Sequence, residues 1–257
     1  IESEARPTLE KLNAATESLD VPAEEWEGAA KFIAFQHVRT PAFRRQLQDM
    51  SAAMMKATMR RVAQDDRMFQ RAIRSTRESK TDFPDIGLEE LRAFILSGEY
   101  DIAAKGDYFL GLVLKMVDHA YRGVMVKTPL IYRSTNESFI TCDSPVILLR
   151  HPKSPPHWGA GWVNSHVLFP LGKHAGLFLQ AKPGHVRKMD GPVRVTVRKA
   201  GGRLAWMNKH TANAAERFVF ADKSLKAIVR LFSTTKKPTR FKLSSLEGTP
   251  FVFIRQN

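Results

Sequence analysis

The chain has 257 residues, 43% of them hydrophobic, and is long enough to bury one large core or two smaller ones. No run of about 18 apolar residues is found, so we expect no transmembrane helix, and the first residues show no secretory h-region. The one cysteine, Cys142, excludes a disulfide framework and multi-cysteine zinc sites, and it predicts a reducing compartment, the cytoplasm.

The net charge of +14 is distributed unevenly along the chain. Residues 1–149 hold 20 basic and 22 acidic residues, a net charge of −2. Residues 150–257 hold 20 basic and only 4 acidic residues, a net charge of +16. Such an asymmetry indicates a polyanionic partner, either nucleic acid or the acidic surface of a protein or membrane.

Helical periodicity dominates the first 121 residues. The chain opens in a helical pattern without an initiator methionine, so we expect a processed product with a segment missing before Ile1. Asp20 is the predicted N-cap of a second helix, which runs to the break at Thr40 and Pro41. Further helices are predicted over 42–77, as one or two segments, and over 88–96 and 102–121.

The hydrophobic period changes after Arg122. Short segments rich in β-branched and apolar residues, separated by Pro, Gly and Asn, predict strands. These segments are GVMVKTPLIYRS, SFITC, SPVILLR, SHVLFPL, AGLFLQA, VRVTVRK and the terminal TPFVFIRQN. Helical spacing returns in LAWMNKHTANAAERFVFA and in DKSLKAIVRLF.

This order of elements predicts an α+β fold. A helical part, residues 1–121, is expected to pack on a basic, β-rich part, residues 122–257, in which two helices attach to a mostly antiparallel sheet. Gly-rich phosphate loops, the G-x-S-x-G motif and zinc-ligand spacings are absent from the sequence. We therefore expect no metal and no cofactor.

Two polar stretches stand out against apolar surroundings. Gln36 and Arg39 share one helix face among phenylalanines, and Asp143 interrupts a predicted strand pair formed by Ser138–Thr141 and Val146–Leu149. Because a buried charge needs a partner, we expect an ion pair between Arg39 and Asp143, or a polar site that they share. The alternatives are an Arg39 that extends to solvent and an Asp143 that closes an Asx-type turn by accepting a backbone N–H two residues on.

These stretches, followed by VLFPLGKHAGLFL and WMNKHTANAAERFVFA, resemble domain-of-unknown-function family 4238. That family shows a Gln-x-x-Arg-Thr-Pro-x-x-Arg helix, a Phe-x-Thr-x-Asp-x-Pro strand turn, a Phe-Pro-Leu strand and a late Asn-containing helix. The resemblance covers roughly residues 1–221, without the usual N-terminal His-x-Val-Pro segment. It marks Gln36, Arg39, Arg44, Asp143, Pro145, Pro170 and Asn208 in this sequence. It implies an association with bacterial defence against phage, and no established reaction.

The basic half contains a predicted nucleic-acid-binding surface. Alternation in VRVTVRK places Arg194 and Arg198 on the outward face of a strand and the three valines toward the core. The residues predicted to form the surface are Arg187, Lys188, Arg194, Arg198, Lys199, Arg203, Lys236, Lys237 and Arg240.

The sequence therefore favours a cytoplasmic nucleic-acid-binding protein, with RNA as the expected ligand, in a defence or toxin-like role. One alternative is an enzyme that acts on RNA or a small anionic substrate, with Gln36, Arg39, Arg44 and Asp143 as its catalytic residues. Histidines of the basic half could then serve as acid and base. Another alternative is a module that binds an acidic protein. Binding to phosphates should weaken steeply with salt, whereas a buried small-ligand site should not.

Overall fold

The computed structural model of the chain describes residues 1–79, 86–102, 106–150, 164–181, 191–222, 241–244 and 252–255. The helices in these ranges are α1 (Glu2–Ala14), α2 (Ala23–Val38), α3 (Pro41–Gln64), α4 (Asp66–Ser79), α5 (Leu88–Ser97), α6 (Gly106–Met125) and α7 (Arg203–Ala214). The strands are β1 (Leu19–Val21), β2 (Thr128–Arg133), β3 (Thr141–Cys142), β4 (Ile147–Arg150), β5 (Ser165–Gly172), β6 (Ala175–Gln180), β7 (Val193–Lys199), β8 (Val219–Phe220), β9 (Phe241–Ser244) and β10 (Val252–Arg255).

The chain divides into two compact units. Residues 1–44 and 110–257 form the first, which we call the sheet unit, and residues 45–109 form the second, the helical unit. In the helical unit, Phe69 and Ile95 pack with Ala63 in a small buried cluster. Arg92 donates to the Ala63 carbonyl at 2.7 Å and pairs with Asp66, which ties α5 to the adjoining ends of α3 and α4.

A six-stranded sheet in the order β1-β7-β2-β6-β5-β4 is the centre of the sheet unit. Only the β2–β7 pair is parallel, and the other neighbours in this sheet are antiparallel. Two-stranded ribbons join β3 to β8 and β9 to β10. The predicted α+β fold with a mostly antiparallel sheet is confirmed.

Helices cover both faces of this sheet. On one face, α1 and α2 bury Leu12, Trp26 and Ile33 against the sheet. On the other face, α7 buries Leu204 and Met207. We call the second face, on which α7 packs, the α7 face.

Gly176 of β6 permits the close packing of the α7 face. A Cβ at this position would lie 2.7 Å from Cε1 of Phe139 and 3.0 Å from Cε of Met207. The missing side chain therefore lets an aromatic ring and a helix side chain approach the strand directly.

Three local predictions are wrong, each because of contacts with distant residues. Asp20 is not a helix cap, because it lies in β1 and pairs with Arg194 of β7, while α2 begins after Pro22. The helix predicted through to residue 221 ends at Ala214, and β8 follows it. The strand predicted from Ser138 is reduced to the two residues of β3.

The predicted helix DKSLKAIVRLF lies outside the described residues after Asp222. Within the described ranges, no helix has the length and apolar character needed to cross a membrane.

Candidate functional site

The end of α2 contacts the residue that follows the Asp143 turn, Val146, through His37 and not through Arg39. Nδ1 of His37 donates to the Val146 carbonyl at 3.2 Å, and the centre of the imidazole ring lies 5.1 Å from the centre of the Phe43 phenyl ring. Thr40 closes the helix, because its hydroxyl donates to the His37 carbonyl at 2.8 Å and accepts the Phe43 N–H at 3.2 Å. Burial lowers the pKa of His37 to about 4, so the imidazole is neutral at physiological pH.

The predicted ion pair between Arg39 and Asp143 is not formed. The two carboxylate oxygens of Asp143 accept the backbone N–H groups of Glu216 at 2.9 Å and Arg217 at 2.8 Å. Arg39 and Arg44 are exposed, and neither makes an ion pair with any residue that the structure describes. The alternative of a local Asx-type turn is also wrong, because the residue two positions after Asp143 is Pro145, which has no N–H to donate. The carboxylate accepts instead from Glu216 and Arg217.

Cys142 is a structural residue. Its buried thiol donates to the Ser144 carbonyl at 3.2 Å, and burial raises its pKa to about 11. A thiol with such a pKa supplies almost no thiolate at neutral pH, so it is unsuited to act as a nucleophile.

Residues marked by the resemblance fasten α7 to the sheet. Asn208 donates from Nδ2 to the Ser138 carbonyl at 2.9 Å, and its Oδ1 accepts the Ile140 N–H at 3.2 Å. Asp143 holds the stretch that follows α7 through its bonds to two backbone N–H groups. Asn208 and Asp143 together fix the position of the helix and of the residues that it carries.

The basic residues of β7 lie as predicted. Val193 and Val195 are buried, whereas Arg194 and Arg198 are exposed on the α7 face. Arg194 donates to Asp20 on the neighbouring β1 at 2.9 Å, so its charge already has a partner.

Arg198 and Arg203 both lie beside Tyr132, a buried residue of β2. Arg198 is the register partner of Tyr132 on β2, and the Arg203 guanidinium lies over the Tyr132 ring, 5.4 Å from its centre. Lys199, at the end of β7, is exposed. The other predicted basic residues lie outside the described residues: Arg187, Lys188, Lys236, Lys237 and Arg240.

Aromatic rings extend from Tyr132 across the α7 face. The Tyr132 ring contacts Phe178 at 6.1 Å, Phe178 contacts Trp206 at 6.1 Å, and Trp206 contacts His210 at 4.5 Å. Phe178 also packs on His166, with ring centres 5.0 Å apart. Trp206 is 40% exposed. The sequence prediction missed it, although its place beside the stripe of Leu204, Met207 and Thr211 could have marked it as lying off the buried face.

A cleft of about 310 Å³ opens near the β3–β8 ribbon. It is lined by Phe139, Ile140, Thr141, Pro170, Leu171, Gly172, Lys173, Phe220, Ala221 and Asp222. Its two charged residues, Lys173 and Asp222, pair with each other, which leaves the cleft without an uncompensated charge for a ligand. In the described part of the chain, His, Cys, Asp and Glu side chains do not gather into a group that could hold a metal ion.

Comparison with known proteins identifies the family of the chain. Neither a curated protein nor a solved structure matches the chain significantly. A family model described as "Protein of unknown function (DUF4238)" matches residues 1–224, which is most of the chain and includes the Asp143 turn, β7 and α7. The chain therefore belongs to this family of proteins of unknown function.

Proposed function

We propose that the chain binds nucleic acid, with RNA as the expected ligand, through the α7 face of the sheet unit. The observation that carries the proposal is the placement of Arg198 and Arg203 around the Tyr132 ring, linked through Phe178 to the partly exposed Trp206. Guanidinium groups bind phosphate oxygens through paired hydrogen bonds, and aromatic rings stack on bases. Tyr132 and Phe178 are buried, so Trp206 is the ring of this group that the surface offers to a base beside the two guanidinium groups. Such a surface suits a nucleic acid.

The charge balance supports the same surface. Residues 150–257 carry a net charge of +16, and β7 and α7 lie within them. Because Asp20 takes up the charge of Arg194, we assign the main phosphate contacts to Arg198 and Arg203.

The geometry supports binding better than catalysis by Gln36, Arg39, Arg44 and Asp143. To act as one catalytic site, these four residues would have to meet around a substrate. Both oxygens of Asp143 are engaged with backbone N–H groups, and the two arginines make no ion pair with it.

We extend the proposal to a role in defence against phage, which rests on the family resemblance alone. Cells that express the chain should be protected against infection, and a variant that no longer binds RNA should protect them less. The efficiency of phage plating measures this. Equal plating with and without the parent chain, across a panel of phages, would contradict the role in defence.

The binding proposal is tested by reversing the two charges around Tyr132. The double variant Arg198→Glu/Arg203→Glu should bind RNA more weakly. Its slope of log K against log salt should flatten by about 0.7 for each phosphate of a single strand that the variant no longer neutralises. Folding should change little, because exposed charges contribute about 0–1 kcal/mol each. Fluorescence anisotropy over a range of salt concentrations measures both the affinity and the slope.

The matched control is Arg6→Glu on α1, which packs against the other face of the sheet. The Arg6 side chain is 76% exposed and pairs with Glu10 on the same helix, so reversing its charge disturbs only an exposed pair and changes the net charge by half as much as the double variant does. It should leave the salt slope unchanged. If the double variant binds RNA as tightly as the parent at every salt concentration, the α7 face is not the binding surface.

A further inference from the structure

Trp206 is a large apolar side chain that the fold leaves partly open to solvent. Its neighbours Leu204 and Met207 on α7 are 2% and 1% exposed, whereas Trp206 is 40% exposed. A helix that only covers the sheet would not need an indole at this position. An exposed aromatic residue beside basic side chains is a common feature of surfaces that bind single-stranded nucleic acid.

The indole is held in place before any ligand arrives. It makes edge contacts with Phe178 at an interplanar angle of 67° and with His210 at 70°. Phe178 belongs to the buried cluster under α7, so the first of these contacts is with the core. A ring fixed in this way loses little conformational freedom when it binds a flat partner.

His210 adds a neutral neighbour to the indole. Burial lowers the pKa of His210, and the charge of Lys209 lowers it further. The imidazole is therefore uncharged at neutral pH and adds no charge beside the indole, so Trp206 attracts a base through stacking.

A basic side chain, Arg203, lies on the same part of α7 as the indole. Arg203 precedes Trp206 by three residues on α7, a spacing that places the two side chains on adjoining parts of one helix surface. Arg203 is in turn held over Tyr132. One ligand could therefore contact the guanidinium with its backbone and the indole with a base.

We infer that Trp206 stacks on an unpaired base, so that the α7 face selects single-stranded RNA over duplex RNA. This inference rests on the proposed function and adds the class of nucleic acid to it. Bases inside a duplex are already stacked on each other, and proteins reach base faces mainly in single strands, loops and ends. Phosphate contacts alone would not distinguish the two forms in this way.

The test compares Trp206→Ala with the parent on two probes. These are an unstructured single-stranded RNA of about 12 nucleotides, within the usual site sizes of single-strand binders, and a blunt RNA duplex of the same length. Trp206→Ala should weaken binding of the single strand roughly 5- to 100-fold, the effect of removing one stacked base. Binding of the duplex should change less than about threefold. The salt slope for the single strand should stay that of the parent, because every phosphate contact is kept.

Two further variants separate stacking from damage to the fold. Trp206→Phe keeps a smaller ring and should recover most of the affinity for the single strand. Phe218→Ala removes another exposed aromatic side chain, 58% exposed and outside α7, and should have no effect on either probe.

Failure of the stacking inference can be told apart from failure of the proposal that the chain binds RNA. If the parent binds single-stranded RNA and Trp206→Ala binds it equally well, the stacking inference is wrong while the binding proposal stands. The inference is also wrong if Trp206→Ala weakens the two probes by the same factor. If the parent binds neither probe at low salt, the proposed function itself fails.

Discussion

His37 shows how a single residue can join two elements that the sequence marks for other reasons. The residues around it, Gln36 and Arg39, attract notice as polar groups among phenylalanines, but His37 makes the contact with the turn at Val146. The residue as a whole is half-buried, while its imidazole packs on Phe43 and reaches the carbonyl. An imidazole that donates to a carbonyl in this setting is stable as the neutral form.

This environment predicts a pH dependence of stability. Burial lowers the folded-state pKa of His37 from 6.5 to about 4. Between these two pH values the imidazole is protonated in the unfolded chain and neutral in the folded chain. The contribution of His37 is therefore fully present above pH 6.5 and is lost as the pH falls toward 4. The shift corresponds to a loss of at most about 3 kcal/mol, and less where water reaches the ring.

The measurement is urea unfolding of the parent and of His37→Gln between neutral pH and pH 4. Glutamine can donate to the same carbonyl but does not titrate. The difference in unfolding free energy between the two proteins should shrink steadily as the pH falls through this range. A difference that stays constant with pH would show that His37 titrates alike in both states.

At the scale of elements, α7 is attached through the side chain of Asn208, which makes the hydrogen bonds that the backbone of a neighbouring strand would otherwise make. The Asn208 amide bonds the Ser138 carbonyl and the Ile140 N–H, as the backbone of a neighbouring strand would. This is why the strand predicted over Ser138–Thr141 is reduced to β3. The backbone groups are satisfied by a helix residue and not by a ladder.

Replacing Asn208 with alanine should therefore lower the free energy of unfolding by about 1–3 kcal/mol, because two partly buried backbone groups lose their partners. Asn213→Ala is the matched control, since Asn213 is exposed on the same helix and should change stability by less than about 0.5 kcal/mol. Chemical denaturation gives both values. Equal unfolding free energies for the two variants would mean that water replaces the Asn208 bonds without loss.

At the scale of the whole molecule, local patterns predict the class of fold but not its long-range pairings. The change from helical to strand spacing after Arg122 predicts the α+β fold, and the alternation in β7 predicts which residues are buried. The three-residue β1 was missed because its partner β7 is far away in the sequence. Nothing in the helical periodicity of α3 or α6 indicates that the boundaries of the two units fall inside these helices.

The candidate site was predictable to a similar extent. Side-chain patterns indicate basic residues on a strand face, so Arg194 and Arg198 could be predicted. The prediction of an ion pair between Arg39 and Asp143 is wrong, because the partners of Asp143 are backbone N–H groups. A pattern of side chains does not indicate such partners. Trp206 was missed, although the stripe of Leu204, Met207 and Thr211 places it off the buried face of α7.

The two units should also differ in local stability. The described residues of the helical unit include one small buried cluster, formed by Ala63, Phe69 and Ile95, whereas two large clusters enclose the central strands of the sheet unit. Since buried apolar area is the main source of stability, the helical unit should open more readily. Amides of α4 and α5 should exchange with deuterium at least about tenfold faster than those of β2 and β6, after correction for intrinsic rates.

Hydrogen exchange followed by mass spectrometry of peptides tests this difference. The central strands β2 and β6 serve as the internal reference, because each is paired on both sides within the six-stranded sheet. Their amides should exchange only by global unfolding. Equal corrected rates in α4, α5 and the central strands would show that both units unfold in one cooperative step. The helical unit would then be more stable than the small cluster around Phe69 suggests.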